Sequence, residues 1–260
     1  MDLSKPFGKP ELGFVLQALA DRGVACFPKQ SLDPAAQVAF SRRFGELELH
    51  VSGAFQEPGH PEIMILSNIV ENGKPIGLAD AGQDWHTDMS FSKTIAFVNV
   101  LYALKVPRRD GRPLGATLFA NMTAAYDALP NDVKSRIEGR NATHSFEKFW
   151  DMMRQRGGAN TSRRPMTEEQ KRMKPPVSQP MVLVHPISRR KSLYADPGTR
   201  SALMAWTRRR AMICWVSCSD ISCGRHSNMR IAGTRAMCWY GTISTHCTVP
   251  KRTIAPMNRV

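Results

Sequence analysis

The residues of this chain best suited to chemistry are His86 and Asp88, in the run Gln83-Asp84-Trp85-His86-Thr87-Asp88-Met89-Ser90-Phe91. On an extended segment side chains alternate with period two, so a His and a carboxylate two residues apart point to the same side. One imidazole nitrogen and one carboxylate oxygen can then share a metal ion. With a second His from elsewhere, the set becomes the two-His, one-carboxylate face that leaves open positions on Fe(II) in non-haem oxygenases. A bare His-x-Asp is a weak signal, since it also occurs at solvated strand ends. Its surroundings decide.

Residues 95–104 are apolar, with β-branched and aromatic side chains, and read as a buried strand too short to span a membrane. Residues 111–122 turn into a second strand, residues 124–130 form a helix, and Asn131-Asp132 caps another. Nearer the start, residues 11–20 have helical periodicity ending at Gly23, and residues 24–27 read as a strand. Asp33-Pro34 opens a helix, Asp as the cap and Pro in its first position, which places Val38, Phe40 and Phe44 in the core and ends at Gly45. Residues 62–67 are a further strand. Residues 150–174 are polar and basic, with no clear strand. No internal repeat is visible.

Taken in order, Trp85-His86-Thr87-Asp88-Met89-Ser90-Phe91, Gly115-Ala116-Thr117-Leu118-Phe119-Ala120-Asn121-Met122 and the run from His185-Pro186 through Arg190-Lys191-Ser192-Leu193-Tyr194 to Pro197-Gly198 form a spaced series. The series resembles the taurine/2,4-D dioxygenase family of Fe(II)- and 2-oxoglutarate-dependent oxygenases, from about residue 10 to Gly198. The resemblance implies a mainly β fold with helical insertions, a double-stranded β-helix (jelly roll) with Fe(II) at one mouth. It makes His86 and Asp88 iron ligands and gives Thr117 a hydrogen bond to a 2-oxoglutarate carboxylate. Without the resemblance, Thr117 is an ordinary strand threonine. More loosely, it sets His50 and Asn68 among substrate contacts. His144 and His185 do not sit at ligand positions and read as structural. The implied reaction uses Fe(II), 2-oxoglutarate and O2, releases succinate and CO2, and hydroxylates a small, anionic organic substrate. A complete site further needs a second His and an Arg to hold the distal carboxylate of 2-oxoglutarate in a bidentate fork. Both are expected in the last quarter of the chain. In such enzymes residues 150–174 are an insertion that can cover the active site, so the stretch reads as a lid or subunit contact; a solvated helix and loop is an equal alternative.

The last quarter breaks the pattern. From Thr199 to Val260 there are ten Lys or Arg and one acid, Asp220, together with Cys214, Cys218, Cys223, Cys238 and Cys247. Most of the chain's net charge of +14 comes from there. One reading is a basic zinc module, since Cys214, Cys218, Cys223 and His226 loosely suggest ligand spacing. The other is translation out of frame. Reading codons from the third base of each codon across Met237-Cys238-Trp239-Tyr240-Gly241-Thr242-Ile243 forces Val-Leu-Val and permits Trp-Asp-Asn. Four residues further on, the shifted frame permits His and then Arg, the order of the family's distal segment. On this reading residues 1–198 are the dioxygenase domain, an incomplete jelly roll, and residues 199–260 are a frameshifted tail that is no native domain. The literal chain then lacks the distal His and Arg, its C-terminal strands are disrupted, and its activity is impaired.

The charge therefore does not argue for nucleic acid, and no aromatic-basic interleaving accompanies it. Met1-Asp2-Leu3-Ser4-Lys5-Pro6 opens no signal peptide and Cys26 is the one thiol before the tail, which together point to the cytoplasm. The expected partner is a small-molecule substrate, with neither nucleic acid nor membrane; homo-oligomers, dimers or tetramers, are compatible with the resemblance. From other classes, a non-catalytic cupin-like binding protein lacking an intact iron site and a zinc-binding tail module stand as alternatives.

Overall fold

The computed structural model describes residues 1–49, 54–79, 86–114, 117–157 and 163–194, and the backbone of strands Arg200–Leu203, Asn228–Ile231, Ala236–Gly241 and Thr248–Pro250. Helix α1 (Lys9–Arg22) carries Pro10 in its first turn and ends at Gly23, whose φ of 73° is a left-handed conformation that glycine adopts without a Cβ clash. Strand Val24–Pro28 follows directly. Helix α2 (Pro34–Ser41) starts as its sequence dictates: the Asp33 carboxylate accepts the Ala36 N–H at 2.7 Å, with Pro34 in the first helical position. It does not run to Gly45. After Ser41 the chain tightens into a 3-10 turn, Arg42–Phe44, which brings Phe44 edge-on against Phe40 with ring centroids 5.6 Å apart. Leu3, Val15, Leu19 and Phe40 close one core, against which Phe27, Val98, Val100 and Tyr102 pack. Each large apolar side chain buried there contributes about 1.5–3 kcal/mol.

The described strand pairings are antiparallel, in three three-stranded sheets and four hairpins. In one sheet Ala236–Gly241 lies between Val24–Pro28 and Val98–Tyr102, with Cys26 opposite Cys238 and Val100 opposite Trp239. In the second, Thr117–Ala120 is flanked by Asn228–Ile231 and Thr248–Pro250. In the third, Asn141–His144 is flanked by Val177–Pro180 and Arg200–Leu203. Strand Val98–Tyr102 is shorter than the apolar run that announces it: Leu104 is already exposed, and the chain turns away towards Pro107. The Tyr102 hydroxyl pins this strand to the loop after Pro28, accepting the Leu32 N–H and donating to the Gln30 carbonyl.

A second core lies under α3 (Met122–Asp127) and α4 (Asn131–Ile137), where Ala120, Tyr126, Leu129, Ile137, Met181 and Leu193 are buried together. Asn121 caps α3 through its side-chain oxygen and the Ala124 N–H, at 3.0 Å. The cap expected at Asn131-Asp132 falls one residue earlier: Pro130 is the N-cap and Asn131 already helical, Pro130 having an extended ψ of 148° and no N–H to satisfy. Residues 150–174 are helical at both ends: they take in most of α5 (Phe146–Gly157) and all of α6 (Glu168–Met173). Thr167 and Gln170 form a reciprocal capping box that fixes the start of α6. Among the described residues, no helix is long and apolar enough to cross a membrane.

Candidate metal centre

His86 and Asp88 precede the strand Val98–Tyr102 and lie in non-strand backbone, which corrects the strand-like setting their spacing suggests. Extension ends where Asp88 opens a turn over residues 88–91. Met89 takes a φ of 59°, and the Ser92 N–H closes the turn on the Met89 carbonyl at 2.9 Å. A left-handed methionine costs about 1–2 kcal/mol, so the surrounding structure must hold this turn in place. The period-two argument survives locally. The His86 Nε2 stands 3.2 Å from Asp88 Oδ1, with side-chain exposures of 19% and 32%.

That separation tests whether the pair fits a metal ion. Two donors each about 2.1 Å from one ion and about 90° apart lie about 3.0 Å from each other. The pair meets this requirement, with one imidazole nitrogen and one carboxylate oxygen on a partly exposed turn. Among the described residues no group of three His, Cys, Asp or Glu comes together, so these residues supply two donors.

The other candidate residues come from separate parts of the chain. Thr117 is half-buried at the first position of its strand, opposite Ile231 on one side and Pro250 on the other. Asn68 is exposed in the stretch between strand His60–Met64 and the hairpin of Val70–Glu71 and Lys74–Pro75. His50, Cys214, Cys218, Cys223 and His226 lie outside the described residues. His144 is buried completely, its ring 5.8 Å from that of Tyr194. His185 is 2% exposed, and its Nδ1 accepts the backbone N–H groups of Ile187 at 3.2 Å and Ser188 at 3.1 Å. Burial holds its pKa below the ordinary imidazole value. Both histidines are core residues, as their sequence positions suggested.

Four residues that sequence reasoning did not single out converge behind the turn. The Ser92 hydroxyl donates to Glu48 Oε1 at 2.7 Å, and Lys174 Nζ reaches the same oxygen at 2.8 Å. Gln179 Nε2 donates to the Ser92 carbonyl at 2.8 Å. These partners lie 44, 126 and 87 residues apart in the chain, so no local spacing could have announced them.

The sequence profile of the taurine catabolism dioxygenase TauD, TfdA family matches residues 1–211, and the chain belongs to that family. The family's chemistry uses Fe(II), 2-oxoglutarate and O2. Among curated proteins, the chain is 33% identical over 205 residues to the alpha-ketoglutarate-dependent 2,4-dichlorophenoxyacetate dioxygenase of Cupriavidus pinatubonensis, covering 75% of this chain and 67% of that protein. It is 34% identical over 154 residues to pentalenolactone F synthase of Streptomyces avermitilis, covering 58% of this chain and 49% of that protein. The chain thus spans about half to two thirds of the length of these relatives. Among solved structures, AAD-2 in complex with Mn(II) and N-oxalylglycine superimposes with a TM-score of 0.72 at 25% identity, covering 97% of this chain and 85% of that one. A taurine dioxygenase from Burkholderia xenovorans superimposes with a TM-score of 0.71 at 20% identity, covering 96% and 77%. The fold is that of these dioxygenases, a jelly roll with mixed helix and strand content.

Proposed function

We propose that the chain is built as an Fe(II)- and 2-oxoglutarate-dependent dioxygenase that hydroxylates a small organic anion, with His86 and Asp88 as two of the iron ligands. The observation that carries this reading is the 3.2 Å approach of His86 Nε2 to Asp88 Oδ1, within a chain of this family. The bound metal and 2-oxoglutarate supply the oxidising chemistry: O2 converts 2-oxoglutarate to succinate and CO2, and one oxygen atom enters a substrate C–H bond. The protein's part is placement. His86 donates a neutral imidazole lone pair, Asp88 a carboxylate, and Thr117 contributes a hydroxyl hydrogen bond to a 2-oxoglutarate carboxylate. His50 and Asn68 are assigned to the substrate side. The relatives that act on 2,4-dichlorophenoxyacetate and (S)-phenoxypropionate take carboxylates attached to an aromatic ether, and a substrate of that class is our choice for this chain.

The domain reading enters the same proposal. Residues 1–198 form the dioxygenase domain, and residues 199–260 are read as the original C-terminus out of frame. Two things support this: the abrupt change in composition at Thr199 and the forced Val-Leu-Val of the shifted frame. The literal chain then has two iron ligands of three and is impaired, and its C-terminal strands do not have their native sequence. A second reading, a cupin-like protein that binds without catalysis, is favoured by the lack of a third donor among the described residues. Resequencing the coding DNA across codons 190–260 and assaying both frames separates the two. An altered base count near codon 199, with Fe(II)-dependent 2-oxoglutarate consumption in the corrected chain, is the expected result. A confirmed frame and an inert protein would leave the binding reading.

A further inference from the structure

The turn that carries Asp88 is strained at Met89 and is held from three separate parts of the chain. Gln179, 6% exposed on strand Val177–Pro180, donates from below to the Ser92 carbonyl at 2.8 Å and more weakly to the Lys93 carbonyl at 3.4 Å. Glu48 accepts the Ser92 hydroxyl from the side, at 2.7 Å. Lys174, at the C-cap of α6, closes on the same Glu48 oxygen. The Phe91 ring of the turn packs on Phe146 of α5, centroids 4.7 Å apart, and lies 20° from parallel to Phe149, centroids 6.5 Å apart. Lys171 of α6 bonds Glu147 of α5 at 3.0 Å, so the two helices are tied to each other as well as to the turn.

We propose that Gln179, Glu48 and Lys174 are positioning residues, a bracket that holds residues 88–92 in the conformation that sets Asp88 against His86. In this proposal α6, within the stretch for which a lid, a subunit contact and a solvated helix and loop were the alternatives, clamps the metal-bearing turn through Lys174. The reason is energetic. A turn containing a left-handed methionine opens easily unless other contacts hold it. The buried Gln179 amide is a suitable holder, because its partner carbonyl would otherwise be left unsatisfied inside the protein. Glu48 then makes the turn sensitive to where α6 sits, since one carboxylate oxygen is shared between Ser92 and Lys174. The assignment rests on the metal-ligand reading of His86 and Asp88, but the bracket itself can be tested without any metal.

The test uses the full chain. Hydrogen–deuterium exchange is followed in peptides covering residues 86–94, with α1 as an internal reference, in the wild type, Gln179→Ala, Glu48→Gln, Lys174→Met and a control, Arg190→Ala, which breaks the distant Asp127 ion pair. Mn(II) affinity is measured on the same proteins. Gln179→Ala is expected to speed exchange at residues 86–94 about tenfold while α1 and the control stay unchanged. Glu48→Gln keeps an oxygen for Ser92 but loses the charge for Lys174, so it should match Lys174→Met with a smaller acceleration. Where Mn(II) binds, Gln179→Ala should weaken it by about 10-fold or more. Unchanged exchange at residues 86–94, or faster exchange everywhere including α1, would overturn the bracket. If Gln179→Ala does not fold, Lys174→Met and Glu48→Gln decide the matter by the same criterion. Local acceleration in the variants together with a wild type that binds no Mn(II) keeps the bracket and shows that His86 and Asp88 alone do not hold the ion.

Discussion

Two turns of this protein carry an imidazole and a non-glycine residue in the left-handed region, and they are held by opposite means. At His185 the turn is self-contained. Arg189, φ 60°, donates its N–H to the His185 carbonyl at 2.9 Å, His185 donates its own N–H to the Arg190 carbonyl, and Nδ1 takes two amides of the turn itself. The ring is buried and the imidazole is used up in structure. At His86 the turn is held from elsewhere, by Gln179, Glu48 and the Phe91 ring, and the imidazole stands partly exposed against a carboxylate. A histidine whose turn is braced by distant residues can keep its nitrogen for a ligand. One that braces its own turn cannot.

The strongest way to break this comparison is to remove each ring. In a chain whose codons beyond 198 are read in the proposed alternative frame, His86→Ala should cut 2-oxoglutarate consumption by more than about 100-fold with little change in melting temperature. His185→Ala should instead cost about 2 kcal/mol of stability by chemical denaturation and leave activity per folded molecule intact. Equal loss of activity in both would merge the two sites.

The pH dependence sharpens the contrast. Burial depresses the His185 pKa in the folded protein below its ordinary value of 6.5, so the unfolded chain takes up the proton first. The stability contributed is present above about pH 6.5 and is lost as pH falls through 6.5 towards the depressed value. Urea titrations at pH 7.5 and 5.5 should show that loss, and His185→Asn should flatten it.

Smaller again is the strain in the two turns. Arg189→Gly should raise stability by up to about 1 kcal/mol, because relief of the left-handed conformation outweighs the entropy glycine adds to the unfolded chain. The same change at Met89 should gain no more, and should speed hydrogen exchange at residues 86–94. The smallest effect is expected at Lys171, whose pKa is raised first by its hydrogen bond to Glu168 and then by that to Glu147. As Lys171 and Glu147 are half-exposed and Glu168 exposed, solvent screens these pairs and Lys171→Met should leave the melting temperature close to wild type.

Much of this was legible in the sequence where signals were local. Gly23 ended α1, Asp33-Pro34 opened α2, and the two-residue spacing of His86 and Asp88 put their donor atoms side by side. The family followed from motifs in register and is shown by a profile match over residues 1–211. What was missed depends on contacts across the chain. The early end of α2 follows from how Phe44 meets Phe40, and the brace behind residues 88–92 joins Glu48, Ser92, Lys174 and Gln179 from four separate segments. No periodicity encodes such a meeting.

The most direct test is CO2 release from 2-oxoglutarate by a chain carrying the proposed alternative frame beyond codon 198, with and without Fe(II), in its unsubstituted, His86→Ala and His185→Asn forms. Release should require Fe(II), disappear in His86→Ala and persist in His185→Asn. Release that survives His86→Ala, or none from the reframed chain with Fe(II) present, would contradict the assignment of His86.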